Sequence, residues 1–279
     1  GNRTTYTYDA NGQTSSAQTV NKDGLALSSQ AFEIGVDGRA RIHSQTDILT
    51  GATTTFEYDS NNQMKSSSVT RDNKTLSTSH YEIGLDGQSR IKESVDNLTG
   101  NKTAYAYDTR NQITSSSVTN SSGVVLSTST FEIGVDGTSR IHETVDKLTG
   151  NKTTYSYDAN NQTHGATTVN AAGTTLSTQA FEIGVDGRAR IHSQTDALTG
   201  AVTTFAYDSN NQMRVSTTVR DGVTLSTSNY EIGVDGQSRI HDTTDNLTGN
   251  MTTYLYNANN QMVSSAVVNS AGNALSTSI

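Results

Sequence analysis

The feature that most constrains this chain is its period. The motif aromatic-x-Tyr-Asp/Asn occurs six times: Tyr6-Thr7-Tyr8-Asp9, Phe56-Glu57-Tyr58-Asp59, Tyr105-Ala106-Tyr107-Asp108, Tyr155-Ser156-Tyr157-Asp158, Phe205-Ala206-Tyr207-Asp208 and Tyr254-Leu255-Tyr256-Asn257. Successive copies lie 50, 49, 50, 50 and 49 residues apart. A second motif, aromatic-Glu-Ile-Gly, begins at Phe32, Tyr81, Phe131, Phe181 and Tyr230, which is 26, 25, 26, 26 and 25 residues after the preceding copy of the first. The unit is therefore about 25 residues long, and it alternates between an A type (Tyr-Asp) and a B type (Glu-Ile-Gly), six of A and five of B. A short fixed period means that each unit is one supersecondary element, which buries its apolar face only by stacking on its neighbours. Residues 1–279 read as one continuous array of five A–B repeats of about 50 residues and a final half repeat. The segment from Gln30 to Asp47 recurs letter for letter from Gln179 to Asp196, which points to block duplication and to a fragment of a longer array.

Within a unit the apolar period is two, the strand period. In Tyr6-Thr7-Tyr8 the rings share a face and Thr7 points away; in Phe32-Glu33-Ile34 the ring and Ile34 share a face and Glu33 points to the other. Turn chemistry follows each motif, as in Asp9-Ala10-Asn11-Gly12, Val36-Asp37-Gly38 and Asp59-Ser60-Asn61-Asn62. A second strand comes next (Arg41-Ile42-His43, Ser67-Ser68-Val69-Thr70), then a second turn (Leu49-Thr50-Gly51, Asn120-Ser121-Ser122-Gly123). The fold class expected is all-β: tandem hairpins of about 25 residues, alternating two types, in an elongated or spiralling ribbon or solenoid. A 50-residue, four-strand period also suits a propeller blade. All 17 aromatic residues fall inside the two motifs. The expected repeat core is therefore Tyr6, Tyr8, Phe32, Ile34, Phe56, Tyr58, Tyr81, Ile83, Tyr105, Tyr107, Phe131, Ile133, Tyr155, Tyr157, Phe181, Ile183, Phe205, Tyr207, Tyr230, Ile232, Tyr254 and Tyr256, stacked in columns facing a shared interior. Arg41, Arg90, Arg140, Arg190 and Arg239 recur at one B position, and the carboxylates expected to pair with the first are Asp37 and Asp47.

Composition narrows the function. Only 32% of residues are hydrophobic, and Pro, Cys and Trp are absent, so stability rests on packing and hydrogen bonds alone. The net charge is −8 with no basic run, which makes nucleic acid and anionic membranes poor partners. No apolar stretch approaches the ~20 residues of a membrane span. His43, His142, His192 and His241 share one B position, but Lys92 fills it in the second copy. Equivalent residues sit four strands apart, roughly 19 Å at ~4.8 Å per strand, so a metal site is not expected. The Asp/Asn turns lack the spaced oxygens and closing Glu of a calcium loop. Asn2, Asn73, Asn97, Asn101, Asn120, Asn151, Asn161, Asn246 and Asn250 each open an Asn-x-Ser/Thr triplet, as a chain so rich in these residues does by composition. Catalysis needs dissimilar groups brought together once, and a chain whose every 50 residues repeat the last provides no such unique set. No catalytic residue, cofactor or metal is expected.

These motifs resemble the YD repeat of Rhs proteins, Tc-toxin shell components and teneurins, which reads roughly Gly-x3–4-Tyr-x-Tyr-Asp-x-x-Gly-x-Leu. The segment from Gly100 to Ile113 shows it, as do Gly150 to Asn161 and Gly1 to Gly12. The A units match well and the B units in outline, as in Phe131-Glu132-Ile133-Gly134-Val135-Asp136-Gly137. Two departures stand out. The Gly after Tyr-Asp is usually Asn (Asn62, Asn111, Asn161), and the following Arg-Leu is usually Gln-Met, Gln-Ile or Gln-Thr. The resemblance implies a β-hairpin ribbon that, in full-length members, spirals into a hollow shell around a toxin. It also implies an autoproteolytic region and a variable effector domain, neither of which this sequence shows. The expected function is a non-enzymatic structural or adhesive segment of a large extracellular or cell-surface protein: a spacer, shell or adhesin stalk. The alternatives are a multivalent lectin-like module, with cell-surface glycans or a host or neighbouring-cell surface as partner, and an ice-binding face on Thr5, Thr55, Thr154, Thr204 and Thr253, a column broken by Ala104. Self-association is the remaining partner class.

Overall fold

The computed structural model describes residues 1–278, and the described residues are all-β, with 23 strands and no helix. By contact density the chain divides into two compact units: Gly1–Ile133 with Thr138–Ile141 and Asp146–Leu148, and Gly134–Gly137, His142–Val145 and Thr149–Ile279.

In the first unit the strands run β1 (Arg3–Tyr8), β2 (Thr14–Val20), β3 (Ala26–Ile34), β4 (Ala40–Asp47), β5 (Thr53–Tyr58), β6 (Met64–Arg71), β7 (Lys74–Ile83), β8 (Ser89–Asp96), β9 (Lys102–Tyr107), β10 (Ile113–Thr119) and β11 (Val125–Ile133). Each pairs antiparallel with the next in sequence. β12 (Ser139–Asp146) has residues in both units, and in the second the same meander runs through β13 (Lys152–Tyr157) to β22 (Met262–Val268) and β23 (Ala274–Ser278). An A unit is thus a hairpin such as β5–β6, and a B unit a hairpin such as β7–β8.

Three bulges per repeat interrupt the ladder. In the A hairpin one extra residue sits on the second strand, because Thr7 pairs Ser16 while Tyr8 pairs Thr14. In the turn between A and B the extra residue is Leu27, and its freed carbonyl accepts the amide of Ile48 at 2.9 Å. Leu76, Leu126, Leu176 and Leu225 accept from Asn97, Lys147, Ala197 and Asn246 in the same way. The third bulge lies in the B hairpin, where Phe32 pairs Ile42 and Ala31 pairs Ser44, so His43 is the unpaired residue. The histidine series occupies a bulge position, as bulges re-aim a side chain out of the ladder.

The alternation between 49- and 50-residue spacings also has a structural origin. Most A hairpins connect to the following B hairpin through a three-residue loop, Lys22-Asp23-Gly24 in the first: Asn21 Oδ1 accepts the amides of Asp23 and Leu25, both at 2.9 Å, and Gly24 takes φ +82°. After the second and fifth A units the connecting loop has two residues, Asp72-Asn73 (φ 51° and 59°) and Asp221-Gly222 (φ 51° and 77°). Positive φ at both central residues is the type I′ geometry that matches strand twist. The tighter loop removes one residue, which is why the following repeats arrive one residue early.

Among the described residues no large side chain is fully buried; the buried ones are Ala17 and Ala166, Ser66, Ser67 and Ser216, and the motif glycines Gly35, Gly84, Gly134, Gly184 and Gly233. This corrects the expectation of a shared interior at six positions. Ile34, Ile83, Ile133 and Ile183 are exposed, 47% for Ile34, because each ends its strand beside a turn. Tyr6 and Tyr8 are exposed at 51% and 63%, since β1 pairs only with β2. The remaining motif residues are half-buried. A sheet with so little buried area is held mainly by its hydrogen-bonded ladder and by cross-strand side-chain pairs.

Candidate functional site

The polar groups converge at one place in each repeat, the joint where a B hairpin hands over to the next A hairpin. The ladder there is short. Between β4 and β5 it comprises Thr46 with Thr53, Gln45 with Thr54 and Ser44 with Thr55, and then stops. Beyond it the strands diverge, leaving the Ile42 carbonyl without a ladder partner from β5. The second tyrosine of the A motif fills the fork: Tyr58 Oη donates to the Ile42 oxygen at 2.7 Å. Tyr107 serves Ile91 in the same way at 2.5 Å, Tyr207 serves Ile191 at 2.7 Å and Tyr256 serves Ile240 at 2.7 Å. A buried or half-buried carbonyl left unpaired costs about 1–3 kcal/mol; the tyrosine of the motif removes that cost.

The repeated arginine lies over the same ring. Arg41 Cζ is 4.1 Å from the centroid of Tyr58, and Arg90, Arg190 and Arg239 sit 4.2, 4.2 and 4.3 Å from Tyr107, Tyr207 and Tyr256. Its carboxylate partner is not Asp37 or Asp47. It is Glu33, directly opposite in the ladder, whose Oε1 lies 2.8 Å from Nε and from Nη2 of Arg41. The same pair forms between Arg90 and Glu82, Arg140 and Glu132, Arg190 and Glu182, and Arg239 and Glu231. A cross-strand neighbour in an antiparallel hairpin stands closer than a residue four or six places along the chain. Asp37 instead accepts the Arg39 amide at 3.1 Å, and Asp47 accepts the Leu49 amide at 2.9 Å. Both aspartates shape turns.

Asn62 completes the clamp. It takes φ +63° in the Tyr-Asp turn, and its Oδ1 accepts the Val36 amide at 3.1 Å and the Arg41 guanidinium. Asn111, Asn211 and Asn260 do the same for Leu85 with Arg90, Val185 with Arg190 and Val234 with Arg239. The approach is so close that Gly35 is obligatory: a Cβ there would lie 2.5 Å from Asn62 Oδ1. The next residue reaches the other way, for Gln63 Nε2 donates to the Gly87 carbonyl in the following B turn at 3.0 Å. Gln162 and Gln212 do likewise to Gly187 and Gly236. One A turn thus ties the B turn before it and the B turn after it. Sequence reading missed this role of Asn62 and Gln63. The signal was present, since the departure from Gly-x-Leu to Asn-Gln recurs in step with the Glu-Ile-Gly glycine.

The histidines stand beside the clamp without adding a ligand set. His43 Nδ1 is 3.1 Å from Glu33 Oε2, His192 is 3.1 Å from Glu182, and His241 is 2.8 Å from Asp242. No group of three or more His, Asp or Glu placed to hold a metal occurs among the described residues. Shallow depressions lie along the sheet, one of about 520 Å³ between Val145, Lys152, Thr154, Thr167 and Val169, and it is open to solvent. Lys152 at its rim pairs with Glu143 at 3.2 Å.

Ionisation follows from these contacts. Burial raises the phenol pKa of Tyr58, Tyr107, Tyr207 and Tyr256 above the usual 10.0. The fold therefore favours the protonated phenol, and the stability it contributes is complete below about pH 10 and lost as pH rises through the folded values. In the turns the carboxyl pKa moves down. The Gln112 and Gln212 amides lower Asp108 and Asp208, the Leu98 amide lowers Asp96, and Thr199 and Thr248 lower Asp196 and Asp245. Asp86 and Asp235 are lowered first by the Gln88 and Gln237 amides. That contribution is present above the unfolded value of 3.8 and disappears as pH falls through the lower folded values. The melting temperature is expected to be flat from about pH 5 to pH 9 and to fall on both sides, with Tyr107→Phe removing part of the alkaline limb. An alkaline fall unchanged in that variant would disprove the assignment.

No family model matches the chain, and no curated protein does. Among solved structures the chain is similar to the entity described as "Crystal Structure of TcdB2-TccC3", at 13% identity and a TM-score of 0.43, covering 94% of this chain and 16% of that one. A second, "Structure of Photorhabdus luminescens Tc holotoxin pore, Mutation TccC3-D651A", also gives 13% identity and a TM-score of 0.43, with 94% of this chain and 15% of that one covered. A porin-like protein from Bacteroides uniformis gives 12% identity and a TM-score of 0.26 over 80% of this chain and 89% of that one. The chain spans about one sixth of the toxin chains it matches. Likeness at this level carries no argument about function.

Proposed function

We propose that this chain is a non-enzymatic structural segment, a spacer, shell wall or adhesin stalk, serving as one continuous YD-type array within a large extracellular or cell-surface protein. The observation that carries this reading is the clamp. It recurs in repeat after repeat, and its polar groups are consumed internally: the arginine by Glu33 and Asn62, the phenol by the Ile42 carbonyl, the asparagine oxygen by Val36. Catalytic groups are held unsatisfied and poised for a substrate; these groups are spent on joining neighbours. Repetition also suits an array whose stability is a sum of unit and neighbour terms.

The test is an in-frame deletion of residues 151–200, one whole repeat, which joins Gly150 to Ala201 in phase. The shortened chain is expected to fold, to lose β signal in circular dichroism in proportion to its length, and to turn over no substrate. On a glycan array, binding that declines gradually with repeat number would favour the multivalent lectin-like reading. An activity abolished outright by this deletion, with the other repeats still folded, would reveal a unique site and overturn the proposal.

A further inference from the structure

The joints between repeats are shorter ladders than the A and B hairpins they connect. In the first unit β5–β6 and β9–β10 each align six residue pairs, and β7–β8 aligns seven. By contrast β4–β5 and β8–β9 align three. In the second unit β12–β13 aligns three, as does β16 (Ala189–Asp196) with β17 (Val202–Tyr207), and β20 (Ser238–Asp245) aligns four with β21 (Asn250–Tyr256).

All the aligned pairs of a joint lie at one end, beside the Asp-x-Leu-Thr-Gly turn. That turn is stiff. At β8–β9 the Asp96 amide donates to the Asn101 carbonyl at 2.8 Å, and the Gly100 amide donates to the Asp96 carbonyl at 2.7 Å. Asp96 Oδ1 accepts the Leu98 amide at 2.8 Å. The far end of the same joint has no ladder and is closed by side chains alone: Tyr107 on the Ile91 carbonyl, Arg90 on the Tyr107 ring, Asn111 on the Leu85 amide. A ladder breaks only by displacing backbone, whereas these contacts release when a few side-chain torsions change.

We propose that each B-to-A joint is a hinge, with the Asp-x-Leu-Thr-Gly turn as pivot and the motif tyrosine as latch, so that the array moves and yields in panels of one whole repeat. A panel runs from the first A strand to the second B strand, for example β5 to β8, and is held within by long ladders. Opening the latch frees the fork and leaves only the three pairs at the pivot to join the panels, a ladder half as long as those of the A hairpins and so the first to open. Such a joint lets a wall or stalk follow curvature and take up load without unfolding a hairpin. The inference rests on ladder lengths and the clamp, and it stands whether the array encloses or extends.

Hydrogen exchange of the full chain, read residue by residue, tests it. Amides that bridge β8 and β9 are expected to exchange together, at least tenfold faster than those bridging β9 and β10 or β7 and β8. Tyr107→Phe, which deletes one oxygen, should speed the joint amides several-fold further and leave the β9–β10 amides unchanged. Equal protection across all three ladders, or uniform acceleration in the variant, would overturn the hinge. Stretching the full chain by its ends gives a second reading: length gains of 49 or 50 residues per event support panels, and gains of 25 overturn them. Failure here leaves the repeat-deletion outcome untouched, so the hinge and the structural role are tested separately.

Discussion

Gly84→Ala is expected to destabilise the protein by about 2–3 kcal/mol, an unusual loss for adding one methyl group in a turn. Gly84 does not need positive φ, so its backbone tolerates alanine, and the shorter list of unfolded conformations would by itself stabilise by about 0.4–1 kcal/mol. The contact decides the sign. The added Cβ would sit 2.6 Å from Asn111 Oδ1 and 2.9 Å from Asp86 Oδ1. Asn111 cannot simply swing aside, since its Oδ1 accepts from the Leu85 amide at 3.0 Å and from Arg90. Expelling it forfeits one neutral hydrogen bond, worth about 1 kcal/mol, and one to a charged group, worth about 1.5–3 kcal/mol. The entropic gain does not offset that.

A second substitution makes the explanation specific. Asn111 sits at φ +63°, where glycine is comfortable, so Asn111→Gly loses the same two bonds without backbone strain. Gly84→Ala combined with Asn111→Gly should therefore cost little more than either change alone, a coupling of about 2 kcal/mol between residues 27 apart in sequence. Urea midpoints at constant slope measure it. Simple additivity of the two losses would mean that the clamp does not run through Asn111.

How much of this was legible in the sequence follows from the same residues. The period, strands and turns were readable because each is a local consequence of side-chain alternation and turn chemistry, as in Tyr105-Ala106-Tyr107 followed by Asp108-Thr109-Arg110-Asn111. The clamp was not, because it depends on where the ladder between β8 and β9 ends. Nothing in Ser94, Val95, Lys102 or Thr103 announces that pairing stops after three residues. Once it stops, Tyr107 has a carbonyl to satisfy, and its partner is 16 residues away rather than the next ring in a column. The arginine was assigned to nearby aspartates for a related reason: sequence distance was read as spatial distance, whereas the hairpin places Glu82 opposite Arg90. The exposed isoleucines show the limit of a period-two pattern, which tells which face a residue takes but not whether anything covers that face.

Tyr107→Ala is expected to cost about 3 kcal/mol, and the same change elsewhere in the series should grade with burial. A fully buried large aromatic loses about 3–5 kcal/mol on truncation. Tyr107 is only half-buried, which lowers the packing share to about 1–2 kcal/mol. The hydroxyl restores part of the total, because the Ile91 carbonyl it serves has no ladder partner from β9, a loss of about 1 kcal/mol. The Arg90 guanidinium 4.2 Å from the ring adds about 0.5–1 kcal/mol. Tyr107→Phe keeps the ring and should recover all but the hydroxyl share. Tyr256 makes the same contacts, with Ile240 and Arg239, but its phenol is less buried than that of Tyr107, so Tyr256→Ala should cost about half as much. Tyr8 is 63% exposed on a strand that pairs only with β2, so Tyr8→Ala should fall within about 0.5 kcal/mol of the parent. Denaturant melts of the four variants decide the matter. The order Tyr107, Tyr256, Tyr8 assigns the motif tyrosine to the joint between repeats; equal losses at all three would assign it to its own hairpin and remove the latch.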